Sequence, residues 1–128
     1  MTRLATIISA VFAMTLALAA CGGDDTTTAD AVEPIPADAD GATVYALRCA
    51  SCHGDDLRGT DKGPSQLSIV YEPNHHGDDS YRAAIRNGVP QHHWGFGNMP
   101  VIEDITDEQI ELVISYVRNQ QEALGFEP

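Results

Sequence analysis

The chain has 128 residues and a net charge of −12, from 19 acidic and 7 basic side chains. A protein this acidic is repelled by a phosphate backbone, so nucleic acid is excluded as a partner. Once its terminal segments are set aside, the length corresponds to one small domain whose protein-only core would be marginal.

The N-terminal segment has the pattern of an export signal. Arg3 supplies one positive charge, and residues 4–20 are apolar apart from two threonines and a serine. This stretch is shorter than the roughly 20 residues of a comfortable membrane span. Residues 18–21 read Leu-Ala-Ala-Cys, which is similar to the lipobox of bacterial lipoproteins. We therefore predict a lipoprotein signal peptide at residues 1–20 and a lipid anchor on Cys21, which implies an extracytoplasmic protein on a bacterial membrane.

An ordinary secretory signal is the alternative. Residues 17–19 read Ala-Leu-Ala, which matches the small-residue cleavage pattern of such signals. That cleavage would leave Cys21 as an odd free thiol in an oxidising compartment. Both interpretations place the mature chain outside the cytoplasm.

Residues 22–40 are small, acidic and interrupted by prolines, with almost nothing to bury. Such a composition predicts a flexible linker. The predicted organisation is therefore a lipidated N-terminus with a flexible acidic linker at residues 21–40, followed by one domain at residues 41–128.

The first predicted helix covers Gly41 to Cys49, with Asp40 as its N-cap. Val44, Tyr45 and Leu47 are its apolar positions.

Directly at the end of this helix come Cys49, Cys52 and His53. Two thiols three positions apart with a histidine after them fit the covalent attachment of a c-type haem. Each thiol can form a thioether with one haem vinyl group, and the imidazole can bind the iron from one side.

The motif has two other interpretations. A thioredoxin-like dithiol needs a βαβ setting, and no strand signal precedes Cys49. A zinc site needs two further ligands, for which only scattered histidines are available.

The second predicted helix covers about Ser80 to Asn87, and Gly88 supplies its C-terminal stop. Tyr81, Ala84 and Ile85 form its apolar face at i, i+3 and i+4.

The third predicted helix begins after Thr106, which makes a capping box with Gln109. Ile105 and Ile110 occupy the two positions of a hydrophobic staple. Its apolar stripe consists of Ile110, Val113, Ile114 and Val117. No segment alternates between apolar and polar residues as a strand does, so we predict an all-α domain with three main helices and long loops. Long loops in so small a domain usually enclose a bound group.

Two histidine pairs lie in these loops, His75 with His76 and His92 with His93. They fit a polar loop surface. Alternatively, His93 or Trp94 could donate hydrogen bonds to a haem propionate or pack on the haem edge. Both pairs together could also form a copper or zinc site, since imidazole suits those metals.

Residues 41–125 resemble class I c-type cytochromes. Residues 41–54 are similar to that family's N-terminal helix and attachment motif, residues 63–67 to its G-P-x-L segment, and residues 97–100 to its distal-ligand loop. The resemblance implies the class I cytochrome c fold around one covalently bound haem c. It also implies that the first and last helices cross at close quarters, with Gly41, Tyr45 and Tyr116 in contact.

The resemblance also assigns site residues. It implies that the Pro64 carbonyl accepts the second N–H of the axial His53 ring, as outer partners of metal-bound histidines do. Leu67 is assigned to the haem site less directly, since one extra residue separates it from Pro64. Met99 is assigned as the second axial ligand, and it is the only methionine left once the signal peptide is removed.

The predicted cofactor-binding residues are Cys49, Cys52, His53, Pro64, Leu67, Trp94 and Met99, of which His53 and Met99 bind the iron. We predict a one-electron carrier, not an enzyme, that is tethered to a membrane and serves redox proteins with basic docking surfaces. A monomer or a subunit of a larger complex fits equally. The alternatives are a fixed subunit of a dehydrogenase or oxidase, and a gas sensor or peroxidase with a labile sixth ligand.

Overall fold

The computed structural model describes residues 32–128, so the predicted signal peptide and Cys21 lie outside the described residues. The described chain contains four α-helices: α1 (Gly41–Arg48), α2 (Ala50–His53), α3 (Asp78–Asn87) and α4 (Asp107–Leu124). A 3₁₀ turn covers Ile69–Tyr71. Residues 32–128 contain no strand, only two isolated bridges that pair Ser68 with Glu127 and Val89 with Met99. The predicted all-α fold is confirmed.

Helix α1 begins as predicted, because the Asp40 carboxylate accepts a hydrogen bond of 2.8 Å from the Thr43 backbone N–H. This bond lowers the pKa of Asp40. The helix ends at Arg48, one residue earlier than predicted. A separate short helix, α2, then carries Cys52 and His53, and the sequence pattern did not predict it.

Helix α3 begins at Asp78, two residues before the predicted start. Gly77 is its N-cap, and Asp78 and Asp79 lie in its first turn, where carboxylates stabilise the positive end of a helix dipole. The predicted stop is correct, since Gly88 ends the helix at φ +68°.

Helix α4 is built as its sequence predicts. The Thr106 hydroxyl accepts from the Gln109 backbone N–H, and the Gln109 side chain accepts from the Thr106 N–H, so the capping box is complete. All four positions of the predicted apolar stripe are buried.

Helices α1 and α4 make the main helix contact of the fold. A Cβ atom at Gly41 would overlap the Leu112 carbonyl oxygen, so only glycine allows this close approach. One turn further along, the Tyr45 and Tyr116 rings lie 5.4 Å apart. The predicted contact of Gly41, Tyr45 and Tyr116 is confirmed.

The folded part of the chain starts before residue 41. Ile35 packs against the hydrophobic core, and Ala39 belongs to it. The Glu33 carbonyl accepts a hydrogen bond of 2.6 Å from Arg48. The sequence predicts a flexible linker as far as residue 40, but the structure packs these apolar residues onto the domain because each finds a buried partner surface.

No helix within residues 32–128 combines the length and hydropathy needed to cross a bilayer.

Candidate functional site

A large cavity of about 610 Å³ opens between the helices and the two long loops, at residues 54–77 and 88–106. This volume falls within the range of roughly 300–1,000 Å³ that is typical of cofactor and ligand pockets. Most of its lining is apolar. Its walls include Tyr45, Cys49, Cys52, His53, Pro64, Gln66, Tyr71, Tyr81, Ile85, Trp94, Met99, Ile102, Val113 and Val117.

Both thiols of the attachment motif line this cavity and are unpaired. Cys49 sits between α1 and α2, and burial, followed by the neighbouring Cys52, raises the pKa of the Cys49 thiol to about 12. Catalytic dithiols depend instead on a thiol whose pKa is lowered. The environment of Cys49 therefore does not support a thioredoxin-like dithiol.

His53 ends α2 and is held by one ring nitrogen. Its Nδ1 lies 2.8 Å from the Pro64 carbonyl oxygen and 2.9 Å from Nε2 of Gln66. Burial lowers the pKa of His53, although the contact with Pro64 opposes this shift, so the neutral ring is favoured. Because Nδ1 is occupied, Nε2 is the nitrogen left to bind a metal.

Gln66 starts a hydrogen-bond network that sequence reasoning missed. Its Oε1 accepts from the Tyr81 hydroxyl at 2.9 Å, and the same hydroxyl accepts from Nε2 of Gln121 at 3.1 Å. The Gln121 oxygen accepts from Arg118 at 2.7 Å. The network links the surface of α4 to the His53 ring. One signal was available, since Gln121 is a polar residue on the apolar stripe of α4.

Pro64 and Leu67, both predicted to belong to the haem site, occupy different places in the structure. Pro64 lines the cavity and contacts His53 as the resemblance implies. Leu67 is fully buried in the core and does not line the cavity. The extra residue before Leu67 places Gln66 on the cavity wall instead.

Met99 reaches the cavity from a loop, here termed the Met99 loop (residues 88–100). Its backbone exchanges two hydrogen bonds with Val89, of 2.9 and 3.0 Å. Within the loop, the Asn98 side chain accepts from the Gln91 N–H, and the Gln91 side chain accepts from the Gly97 N–H. Met99 is half-buried, whereas Asn98 and Gly97 are exposed.

Trp94 and three of the loop histidines also line the cavity. The Trp94 ring stacks on Tyr71, with centroids 5.8 Å apart and an interplanar angle of 24°. Burial, with smaller contributions from neighbouring imidazoles, lowers the pKa of both His76 and His93. The assignment of His93 or Trp94 to a haem propionate stays a prediction.

A family model described as cytochrome c matches residues 39–121. The chain belongs to the cytochrome c family. A search of curated proteins finds no match to the chain. The predicted resemblance to class I c-type cytochromes is confirmed, and so is the predicted cofactor, because this family binds haem c covalently through its attachment motif. The cytochrome is accordingly a haem-binding electron-transfer protein.

The residues present fit that cofactor. One mostly apolar cavity is lined by two free thiols, by an imidazole with one available nitrogen and by the thioether of Met99. Thiols form the covalent links, and a histidine with a methionine is the ligand pair of carrier cytochromes. The positions of Cys49, Cys52, His53, Pro64, Trp94 and Met99 are thus compatible with their predicted roles.

Proposed function

We propose that this cytochrome is a one-electron carrier with a single His/Met-ligated haem. The observation that carries the proposal is that Cys49, Cys52, His53 and Met99 line one cavity. When bound, the haem iron supplies the redox chemistry by changing between its ferrous and ferric states. Cys49 and Cys52 would hold the group covalently, and its iron would be bound by Met99 and by His53, which the Pro64 carbonyl orients.

Apolar side chains around the site favour electron transfer over chemistry on a substrate. Ile85, Ile102, Val113 and Val117 line the cavity, and side chains of this kind neither donate nor accept protons. A thioether ligand and burial both favour ferrous iron and raise the reduction potential. The proposed role therefore needs no general acid or base.

The labile-ligand alternative, a gas sensor or peroxidase, is tested with carbon monoxide. We expect the ferrous holoprotein not to bind carbon monoxide at neutral pH, because Met99 occupies the sixth position. Difference absorbance spectra measure this directly. Rapid formation of a carbon monoxide complex by the unmodified protein would favour the sensor or peroxidase.

We further propose that a lipid on Cys21 tethers the mature protein at the outer face of a bacterial membrane. Support comes from the sequence at residues 18–21 and from the acidic linker that follows. Cys21→Ser should release a soluble protein that still carries haem, as measured by fractionation and haem staining. Retention of this variant in the membrane fraction would refute the lipid anchor.

Its partners are proposed to be redox proteins with basic docking surfaces, because the chain carries a net charge of −12. Electron transfer to such a partner should slow as the salt concentration rises, since screening weakens attraction between the surfaces. A fixed place in a dehydrogenase or oxidase complex remains the second candidate, and co-purification of the holoprotein with a larger partner would favour it.

A further inference from the structure

Three histidines from two separate loops meet beside the cavity. His75 and His76 follow the 3₁₀ turn, whereas His93 lies in the Met99 loop. One ring nitrogen from each of the three lies within 4.8 Å of the other two. We term these three residues the histidine cluster.

The spacing of the cluster matches the geometry of a metal site. Tetrahedral zinc with Zn–N distances of about 2.0–2.1 Å separates its ligand nitrogens by about 3.3 Å. Nε2 of His76 and Nε2 of His93 lie 3.1 Å apart. His75 and His93 are exposed, so their side chains have room to rotate. Small rotations would bring a ring nitrogen of His75 close enough to bind the same ion as His76 and His93.

A hydrogen bond between two imidazoles would explain the short distance between His76 and His93. It would not explain why the His75 ring lies beside them. The His75 ring lies 4.6 Å from the His76 ring and 5.4 Å from the His93 ring, measured between centroids. A shared ligand accounts for the convergence of all three.

The backbone that carries His75 and His76 is already ordered. Both of their N–H groups donate to the Glu72 carbonyl at 2.9 Å. From α4, Arg118 donates to the carbonyls of His76 and Tyr71, each at 2.7 Å. Metal binding would therefore have little backbone entropy to overcome on this side of the cluster.

We propose that His75, His76 and His93 bind a divalent transition metal, namely Zn²⁺ or Cu²⁺. Neutral imidazole suits these ions, whereas Mg²⁺ and Ca²⁺ prefer oxygen ligands. The exposed side of the cluster leaves the fourth position to water. The strongly acidic chain attracts cations to its surface. A bound ion would link the 3₁₀ turn region to the Met99 loop, and this second site would use none of the predicted haem ligands.

The test is a calorimetric titration of the holoprotein, free of any polyhistidine tag, with Zn²⁺. We expect saturation at one equivalent and no binding of Mg²⁺. His76→Asn and His93→Asn should each weaken Zn²⁺ binding at least about tenfold, the lower limit seen when even outer partners of metal ligands are lost.

His92→Asn is the matched control. His92 is exposed, and its ring centroid lies 4.4 Å from that of His93, but it is not one of the three clustered residues. Its loss should leave the affinity unchanged. Equal weakening by His92→Asn and His93→Asn would overturn the assignment, as would the absence of saturable Zn²⁺ binding.

Electron paramagnetic resonance of Cu²⁺ added to the ferric holoprotein provides a second readout. Hyperfine splitting from several nitrogen ligands is expected, and it should diminish in His93→Asn. A Cu²⁺ signal with oxygen ligands only would contradict the proposal. The ferric sulfur-to-iron charge-transfer band, which depends on Met99, should persist in every histidine variant, so failure of the metal site and failure of the haem assignment give different results.

Discussion

The two sides of the cavity hold their axial residues in different ways. The ring of His53 contacts both Pro64 and Gln66, and Gln66 is in turn tied to α3 and α4. Met99 is held by one pair of backbone hydrogen bonds to Val89, in a loop whose neighbouring residues are exposed. The His53 ring is therefore held through hydrogen bonds that reach two helices, whereas Met99 is held by one backbone pair and by packing of its side chain against the core.

This difference indicates which ligand should dissociate from the iron first. Segments with fewer buried contacts and more exposed backbone hydrogen bonds open at a lower free energy than the packed core. Heat, denaturant or mutation should release Met99 while His53 and the covalent links remain.

The largest effect is expected on the His53 side from Cys52→Ala. The described domain contains only two thiols, Cys49 and Cys52, so this change leaves at most one thioether. The amount of mature holoprotein, measured by haem staining and mass spectrometry, should fall to a small fraction. Ser51→Ala, at the exposed position between the thiols, is the control and should mature normally. Normal yields of doubly attached haem in Cys52→Ala would refute the motif assignment.

Met99→Ala should be less severe, because attachment of the haem does not depend on it. We expect normal holoprotein that lacks the weak sulfur-to-iron charge-transfer band at the red end of the ferric spectrum. The reduction potential should fall, since the thioether raises it, and the ferrous form should now bind carbon monoxide. His92→Ala should keep the band. If the band persists in Met99→Ala, another residue is the sixth ligand of the iron.

Gly88→Ala tests how the Met99 loop is attached. Gly88 has φ +68°, and a Cβ atom there would lie 2.6 Å from the Met99 carbonyl oxygen. We expect a loss of more than about 1 kcal/mol in the free energy of unfolding, because alanine is strained at this φ. The charge-transfer band should also weaken.

Gly95→Ala is the matched control within the same loop, since a Cβ atom there meets no atom within 4 Å. Its stability and spectrum should equal those of the parent protein. If both alanine variants behave alike, the close approach at Gly88 does not position Met99.

The smallest effect is expected from Gln66→Leu. With Nε2 bound to iron, Nδ1 of His53 would carry a hydrogen that the Pro64 carbonyl accepts. The Gln66 amide nitrogen lies 2.9 Å from Nδ1, because the Gln66 oxygen accepts from Tyr81. Loss of this partly positive N–H group beside the ring makes the imidazole a stronger electron donor, so the reduction potential should fall slightly. Voltammetry measures the shift, and Gln120→Leu, which lies off the cavity wall, should show none. A rise in potential would contradict this role of Gln66.

The predictions from the sequence are correct for features whose residues lie close together in the chain. The Asp40 cap and the capping box of α4 each span only a few residues, and each is found as predicted. Helix α3 starts two residues before the predicted Ser80, a start that the sequence did not indicate because no capping side chain marks it. Gly77 is its N-cap, with two aspartates filling the first turn.

The missed features join distant parts of the chain. Gln66, Tyr81 and Gln121 meet only after α3 and α4 have packed, so no short pattern reveals their hydrogen bonds. Leu67 was assigned by analogy with a spacing that this chain departs from by one residue. In the packed structure that residue places an amide, rather than the leucine, against the histidine ring.

The paired hydrogen bonds between Val89 and Met99 make residues 90–98 an exchangeable module. Both ends of this segment are fixed to each other, so its length can change without moving the sulfur ligand. Doubling the length of such a loop costs only about 0.6 kcal/mol in closure entropy. A designer can therefore change the length of this segment on either side of Trp94, to build a docking face or remove a histidine, while Met99 stays paired with Val89.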